Sequence, residues 1–380
     1  MNRIYLDHAA TSPVHPKVIE KLVITMEQDF GNPSSIHATG RDARKQLDKA
    51  RDRLAASIGA NDHEIVMTSG GTEADNLAIF GTAYARRKDG NHIITSQIEH
   101  HAVLHACEKL EKEGFDVTYL PVNEHGRISI EDVKQALRDD TILVTIMLGN
   151  NEVGAIQPIR EIGELLQEHS ATFHTDAVQA YGLLPISVDE LKVDLLSVSS
   201  HKINGPKGIG FMYQRKGTRL NPQTFGGQQE RKRRAGTENV PGVLAFAEAV
   251  SISQQTMVKK RKLYEQFKET MVSTWTQEDL AFEVNGDEKY TLPHILNVSF
   301  KGTDVESLLV NLDMAGLSVS SGSACTAGSI DPSHVLVAMF GEKANQLRNS
   351  IRFSFGYGVT LEDIHLAAQR TTDVVKRLVK

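Results

Sequence analysis

The sequence predicts an α/β fold in which a large domain, a mainly parallel sheet flanked by helices, is joined to a smaller α+β domain. Three observations carry this reading. From about residue 60 to 215, short apolar runs alternate with polar turns and amphipathic stretches, the pattern of buried strands separated by helices. Residues 216–241 then lose the apolar period and become rich in Gly, Pro, Gln and Arg, which reads as a long loop of the functional kind. A long helix and a second set of strands and helices follow. The length of 380 residues suits about two domains at roughly 150 residues each. The expected division is 15–255 for the large domain, and 1–14 with 256–380 for the small one.

Each element has its own signal. EIVMT (64–68) precedes SGGTEADNLAIFGTAYA, HIITS (92–96) precedes QIEHHAVLHACEKLEK, and DVTYLPV (116–122) precedes the helical EDVKQALRD. ILVTIML (142–148) precedes NNEVGAIQPIREIGELLQEH, and ATFHTDA (171–177) and VDLLSVS (193–199) complete the run. Ligands in such sheets bind beyond the carboxyl ends of the strands. The long helix runs from VLAFAEAV through RKLYEQFKETMVSTW. After it come HILNVSF, a helix at VESLLVNLDMAG, a Ser/Gly/Ala loop around Cys325, SIRFSFG and a final amphipathic helix.

Composition narrows the class. The net charge is −6, with 40% hydrophobic and 24% charged residues, close to a soluble globular average. Nothing here favours nucleic acid or an anionic membrane as a direct partner. No apolar run approaches the roughly 20 residues of a membrane span. Asp7 and His8 interrupt the stretch a signal peptide needs, so a cytoplasmic enzyme is expected. Two cysteines argue against a disulfide framework. Cys107 shares a helical face with Val103 and Leu110, which predicts a core residue. Cys325, in SVSSGSACTAGS, is expected on an exposed loop.

Several residues could carry chemistry. Lys202, in SVSSHKINGPKGIG, lies just past a strand, where partial burial would lower its pKa as Schiff-base chemistry requires; a snorkelling surface lysine has the same local signature. Asp176 ends FHTDAVQ and could pair with a pyridinium nitrogen, keeping the ring an electron sink, or cap a turn. Gln179 could bond the ring's phenolic oxygen. In SGGTEADN (69–76), Gly70 and Gly71 allow close backbone approach, and Thr72 adds a hydroxyl at a helix N-terminus suited to phosphate. The P-loop and GxGxxG spacings are absent. His100 could stack on a flat ring and move a proton. His101 and His105 have a metal-pair spacing, but no HExxH or further ligand cluster supports it, and no metal is expected. Arg352 in SIRFSFG could clamp a carboxylate or serve a structural ion pair.

These features occur in the order of one family. The chain resembles the class V aminotransferase group of fold-type I pyridoxal-phosphate enzymes (aspartate aminotransferase-like), and within it the cysteine desulfurases of the NifS/IscS type. The blocks are YLDHAATSP (5–13), GNPSSIH (31–37), TSGGTEADN (68–76), EHHAV (99–103), NNEVGAIQPI (150–159), HTDAVQA (174–180), SSHKINGPKGIG (199–210), GGQQERKRRAGTENV (226–240), SSGSACTAG (320–328) and SIRFSFG (350–356).

The resemblance implies pyridoxal 5'-phosphate held as an internal aldimine on Lys202, with His100 stacked on the ring, Asp176 at its nitrogen and Gln179 at its phenolic oxygen. It implies that Gly71, Thr72, Ser199 and His201 hold the phosphate, joined by Thr237 from the second subunit of a homodimer. Asn151 and Arg352 would bind the carboxylate of L-cysteine. Cys325 would be the nucleophile that takes its sulfur as a persulfide, with His100 as its base. The sulfur would pass to an acceptor protein, an iron–sulfur scaffold or a tRNA thiouridylase. The SSGSAC setting resembles the group I branch. An aminotransferase, a selenocysteine lyase or a sulfur-relay scaffold are the rival readings.

Overall fold

The computed structural model describes residues 3–322 and 332–379, together with the backbone of 325–326 and 329–330. The chain opens with β1 (Ile4–Tyr5), α1 (Pro16–Gln28) and α2 (Ala38–Ala56). The alternating region follows as β2 (Ile65–Thr68), α3 (Gly71–Arg86), β3 (His92–Ser96), α4 (His101–Lys112), β4 (Asp116–Leu120), α5 (Ile130–Ala136) and β5 (Thr141–Thr145). It continues as α6 (Ile159–Leu166), β6 (Thr172–Asp176), α7 (Val188–Leu191), β7 (Leu195–Ser199) and β8 (Gly210–Gln214). These strands form one seven-stranded sheet in the order β2-β8-β7-β6-β5-β3-β4. The β4–β3, β3–β5, β5–β6 and β6–β7 pairs are parallel.

The sheet departs from all-parallel at β8, which runs antiparallel to both β7 and β2. The link from β7 to β8, residues 200–209, holds only one short turn at Ser200–Lys202, too little chain for the crossover a parallel neighbour needs. β3, β5, β6 and β7 are buried along their whole length, as expected of strands covered on both faces, and the Thr, Ser and His side chains among their apolar residues are buried with them. α4 shows the complementary helical logic: Val103, Ala106, Cys107 and Leu110 recur at one face and are buried there. Cys107 is a core residue as expected, fully buried, and burial pushes its thiol pKa up.

The second unit is carried by α8 (Val240–Gln277), a 38-residue helix about 57 Å long at 1.5 Å per residue. Its first half packs Val243, Phe246 and Val250 into the core beneath the large sheet. Its second half gives Tyr264, Phe267 and Trp275 to a separate core, which also takes Ile4 and Leu6 from the N-terminus. β9 (Phe282–Asn285), β10 (Ile295–Phe300), α9 (Val305–Met314), β11 (Leu317–Ser318), β12 (Cys325–Thr326), β13 (Ser329–Ile330), α10 (His334–Phe340), β14 (Ser350–Ser354) and α11 (Leu361–Leu378) complete the chain. β14, β10 and β9 form an antiparallel sheet, and β1 pairs with β11. β12 pairs with β13 in the register Cys325 to Ile330; the Cys325 side chain and Gly328 lie outside the described residues. Among the described residues no helix is long and apolar enough to cross a membrane.

The long connection expected over 216–241 runs to residue 239, just before α8 begins, and ion pairs that include the following three pin it down. Glu230 is buried and accepts both Arg51 nitrogens at 2.8 and 2.6 Å. Arg44 reaches Glu238 at 2.9 Å, and Arg234 reaches Glu73 in the first turn of α3 at 2.6 Å.

Candidate active site

The carboxyl ends of the large sheet converge on a cavity of about 350 Å³, within the usual range for small-ligand sites. It is lined by Gly71, Thr72, His100, Asn151, Asp176, Gln179, Ser199, His201, Lys202 and Arg352, with Ala9, Ala10, Asp75, Met147, Gly149 and Val178. Every proposed site residue among the described side chains is therefore brought together here except Thr237, which is exposed in the 216–239 connection and outside this cavity. A wider groove at the opposite end of the strands contains Asp189, Arg215 and Arg219. There Arg215 pairs with Asp189 at 2.9 Å and Arg219 pairs with Asp89.

Lys202 sits on the turn that ends β7. Its ammonium donates to the Ala9 carbonyl and, at 3.0 Å, to the Ala10 carbonyl. Burial, assisted by the positive charge of Arg352, lowers its pKa to about 8, against the opposing pull of Asp176 and Asp7. An amine in that range loses its proton readily near neutrality.

Asp176 ends β6 and is buried. Its Oδ1 accepts the Val178 N–H at 2.8 Å, so it also caps the turn that carries Gln179. Burial raises its pKa to about 6, opposed by the Val178 bond and by Lys202. Such a carboxylate gains from a cationic partner placed in the cavity.

His100 is the N-cap of α4, its Nδ1 accepting from Ala102 N–H at 3.1 Å. In the neutral ring the hydrogen then lies on Nε2. Desolvation, with Lys202, His101 and His105, lowers its pKa, so the ring is neutral at pH 7. In this tautomer Nε2 is a donor. Accepting a proton there requires the other tautomer and the loss of the Ala102 cap.

The helix N-terminus at α3 is built by glycine. Gly70 has φ +151°, which L side chains rarely adopt, and a Cβ on Gly71 would fall 2.7 Å from Val178 Cγ2. The first intrahelical bond there comes from Ala74 N–H to Gly70 O at 3.1 Å, so the N–H groups of 71–73 lack intrahelical partners. Glu73 turns away from them, taking Ser69 N–H at 2.7 Å and Arg234. Opposite lie Ser199 and His201, whose Nδ1 meets Thr11 Oγ1 at 3.1 Å.

Arg352 closes the far side from β14. It donates through Nη1 to Asn151 O at 2.8 Å and through Nη2 to Asp7 Oδ1 at 2.7 Å, while its buried Nε has no partner. Four further residues escaped the sequence reading. Asp7 orients Arg352. Asp75 is buried with Oδ1 unpartnered, 3.7 Å from His174 Nε2. Glu152 is buried, accepts from Ser333 Oγ, and has its pKa raised to about 7 by burial, opposed by Ser333 and Arg352. His294 holds Gln179. Their partners lie far away in sequence, so no local signal marked them. His101 and His105 have ring centroids 5.1 Å apart, and among the described residues no group of three or more His, Cys, Asp or Glu is arranged to hold a metal ion.

The residues fit a flat, anionic, phosphorylated ligand that reacts with an amine. There is a depressed-pKa lysine, a buried carboxylate, free donors at a helix N-terminus and an arginine with an unfilled N–H. Comparisons with known proteins agree. The aminotransferase class-V family model matches residues 4–366. A protein named putative cysteine desulfurase IscS 1 from Bacillus subtilis is 62% identical over 378 residues, covering 100% of both chains. The cysteine desulfurase IscS of Dictyoglomus turgidum is 45% identical, covering 99% of this chain and 94% of that one. A solved NifS-like protein superposes with a TM-score of 0.92 at 34% identity, covering 99% of this chain and 100% of the other. The chain belongs to the class-V aminotransferase family, among relatives that carry the name cysteine desulfurase.

Proposed function

We propose that this protein is a pyridoxal-phosphate cysteine desulfurase that converts L-cysteine to L-alanine and keeps the sulfur as a persulfide on Cys325. The observation that carries this is Lys202: an amine with its pKa lowered to about 8, in a cavity that also holds a buried carboxylate, a helix N-terminus and an arginine. Lys202 would hold the cofactor covalently. Gly71, Thr72, Ser199 and His201 would hold its phosphate, Asp176 its ring nitrogen and Gln179 its phenolic oxygen, with His100 against the ring face. When bound, the cofactor supplies a protonated ring that accommodates negative charge from the substrate α-carbon.

The remaining chemistry belongs to the chain. Arg352, steadied by Asp7 and Asn151, orients the substrate carboxylate. Lys202 Nζ would take the α-proton of the substrate. The Cys325 thiolate attacks the substrate sulfur; the S–S bond forms as the carbon–sulfur bond breaks, and the electron pair stays with the carbon fragment, which leaves as alanine after protonation. A free thiol is mostly protonated at pH 7, so its proton must go to a neighbouring base. His100 is the candidate, through its second tautomer. Thr237 would reach the phosphate of the other subunit in a homodimer. The persulfide would pass to an acceptor protein in the cytoplasm, an iron–sulfur scaffold or a tRNA thiouridylase.

The test is Cys325→Ser in the loaded enzyme. Cofactor and cysteine binding should persist while sulfide and alanine formation collapse. Normal turnover would end the persulfide reading. Trapping the persulfide of the unaltered protein, then asking which acceptor removes it, decides the destination.

A further inference from the structure

We propose that His294 is a positioning residue: its Nε2–H holds Gln179 Oε1, and this fixes the Gln179 amide so that it offers the cavity an N–H donor and not a carbonyl. The proposal rests on the cofactor reading above, because the group it addresses is an anionic oxygen on a bound ring.

The orientation follows from two contacts and one unpartnered atom. Gln179 Nε2 is 2.8 Å from the Ala9 carbonyl. A carbonyl can only accept, so the atom facing it is the amide nitrogen. The amide oxygen therefore faces His294 Nε2, at 3.3 Å, and needs a donor. His294 Nδ1 is buried without a partner. Were the hydrogen on Nδ1, a buried N–H would be stranded and two lone pairs would face each other at Nε2. Each defect costs free energy that the other tautomer avoids. The hydrogen is on Nε2.

The ring stays in this state because of its surroundings. It is buried, and desolvation together with Lys268, His8, Lys202 and Arg352 drives its pKa well below the ordinary value. A second proton would also leave Nδ1–H stranded. The segment that bears it is tied from both sides. Lys268 Nζ donates to Leu292 O at 2.7 Å, and Phe355 N–H donates to His294 O at 2.8 Å.

The consequence lies in Gln179. One amide hydrogen is spent on Ala9; the other remains for the cavity that Gln179 lines. A donor there stabilises an oxyanion. A flipped amide would place a lone pair against it and repel it.

The experiment uses the cofactor-loaded enzyme and reads the pH midpoint of its long-wavelength absorbance band. A donor on the ring oxyanion weakens that oxygen's hold on the neighbouring Schiff-base proton, so losing the donor raises the midpoint. For a hydrogen bond of ordinary net strength the shift is about half to one pH unit. His294→Leu and Gln179→Leu should each shift it upward, and the double variant should shift no further than Gln179→Leu alone. His294→Gln, which keeps an N–H near the same place, should return the wild-type midpoint. An unshifted midpoint in His294→Leu, or additive shifts in the double variant, overturns the proposal. Nitrogen-15 shifts of labelled histidine in the unaltered enzyme give a reading that needs no substitution: a neutral Nδ1–H tautomer at His294 would also overturn it. If the loaded protein shows no such band at all, it is the cofactor reading that has failed.

Discussion

The two walls of the cavity are built on opposite plans. The wall from the large sheet sets its functional side chains at the end of a strand or the start of a helix, and two of them, Asp176 and His100, are satisfied within a few residues, while Lys202 and Gln179 reach back to Ala9. Asp176 is held by Val178, and His100 by Ala102. The opposite wall is assembled across the chain. Arg352 meets Asp7 and Asn151 from 345 and 201 positions away, and Glu152 meets Ser333 from 181. The first wall is rigid because local backbone geometry fixes it. The second is held by the Arg352–Asp7 ion pair and by hydrogen bonds between distant segments, and a ligand carboxylate would compete with Asp7 for the guanidinium. A covalent cofactor suits the first wall, and an exchanging amino-acid substrate suits the second.

The largest effect is expected on the first wall. Lys202→Ala removes the amine proposed both to hold the cofactor covalently and to move the α-proton. Turnover should fall by about 10³-fold or more, and the long-wavelength band should vanish. Retention of the band would move the covalent role elsewhere. The fold should survive, because Lys202 Nζ touches only the Ala9 and Ala10 carbonyls.

On the second wall activity and stability should fall together. Arg352→Ala strands the Asp7 carboxylate and empties the carboxylate clamp. Breaking a largely buried pair costs roughly 3 kcal/mol, reduced where Asp7 reaches water, and loss of a forked charge-assisted contact should raise KM about 10–100-fold. Adding Asp7→Asn should recover stability in urea melts and leave KM high. If KM recovered too, the arginine would be serving the fold and not the substrate.

The same contrast explains what was legible in the sequence. Lys202, Thr72 and His100 could be singled out because each follows a short strand-like run that gives way to a polar turn, and Asp176 because it closes such a run. Arg352 could be noticed, but its partner Asp7 could not, since an ion pair between the two termini leaves no local pattern. His294 stood at the head of the run HILNVSF and Glu152 within NNEVGAIQPI, and nothing local marked either. Thr237 came from resemblance alone, and an exposed position in a single chain gives it no contact to read. The antiparallel β8 was hidden for a related reason: buried strands look alike in either direction, and only the short link from β7 fixes the turn-back.

Glu152 gives the cross-chain wall a pH signature. Its carboxyl is raised from 4.5 to about 7. The unfolded chain therefore releases this proton before the folded chain does, and stability falls as pH climbs from 4.5 through 7. The part owed to this group is on the order of 3 kcal/mol, fully lost above pH 7. Glu152→Gln in cofactor-free protein should remove that slope, so wild type and variant should diverge between pH 5 and 8 in urea melts. Parallel curves would mean that Glu152 is already charged in the fold across this pH window and that its burial is compensated by Arg352.

The smallest effect separates side chain from backbone on the first wall. Thr72→Ala removes one hydroxyl from the phosphate cradle but keeps the N–H groups of the α3 N-terminus, the Gly70 turn and the Glu73–Arg234 pair that holds it. A hydrogen bond to a charged group is worth about 1.5 kcal/mol or more, so cofactor retention should weaken about ten-fold, with kcat of the loaded enzyme nearly unchanged. Gly70→Ala alters no polar group but forces a side chain into φ +151°, and a strained residue of this kind costs about 1–3 kcal/mol. It should weaken retention at least as much as Thr72→Ala. If the hydroxyl proved the larger loss, the cradle would depend on side chains as the Arg352 wall does, and the division between a backbone-built wall and a charge-built one would not hold.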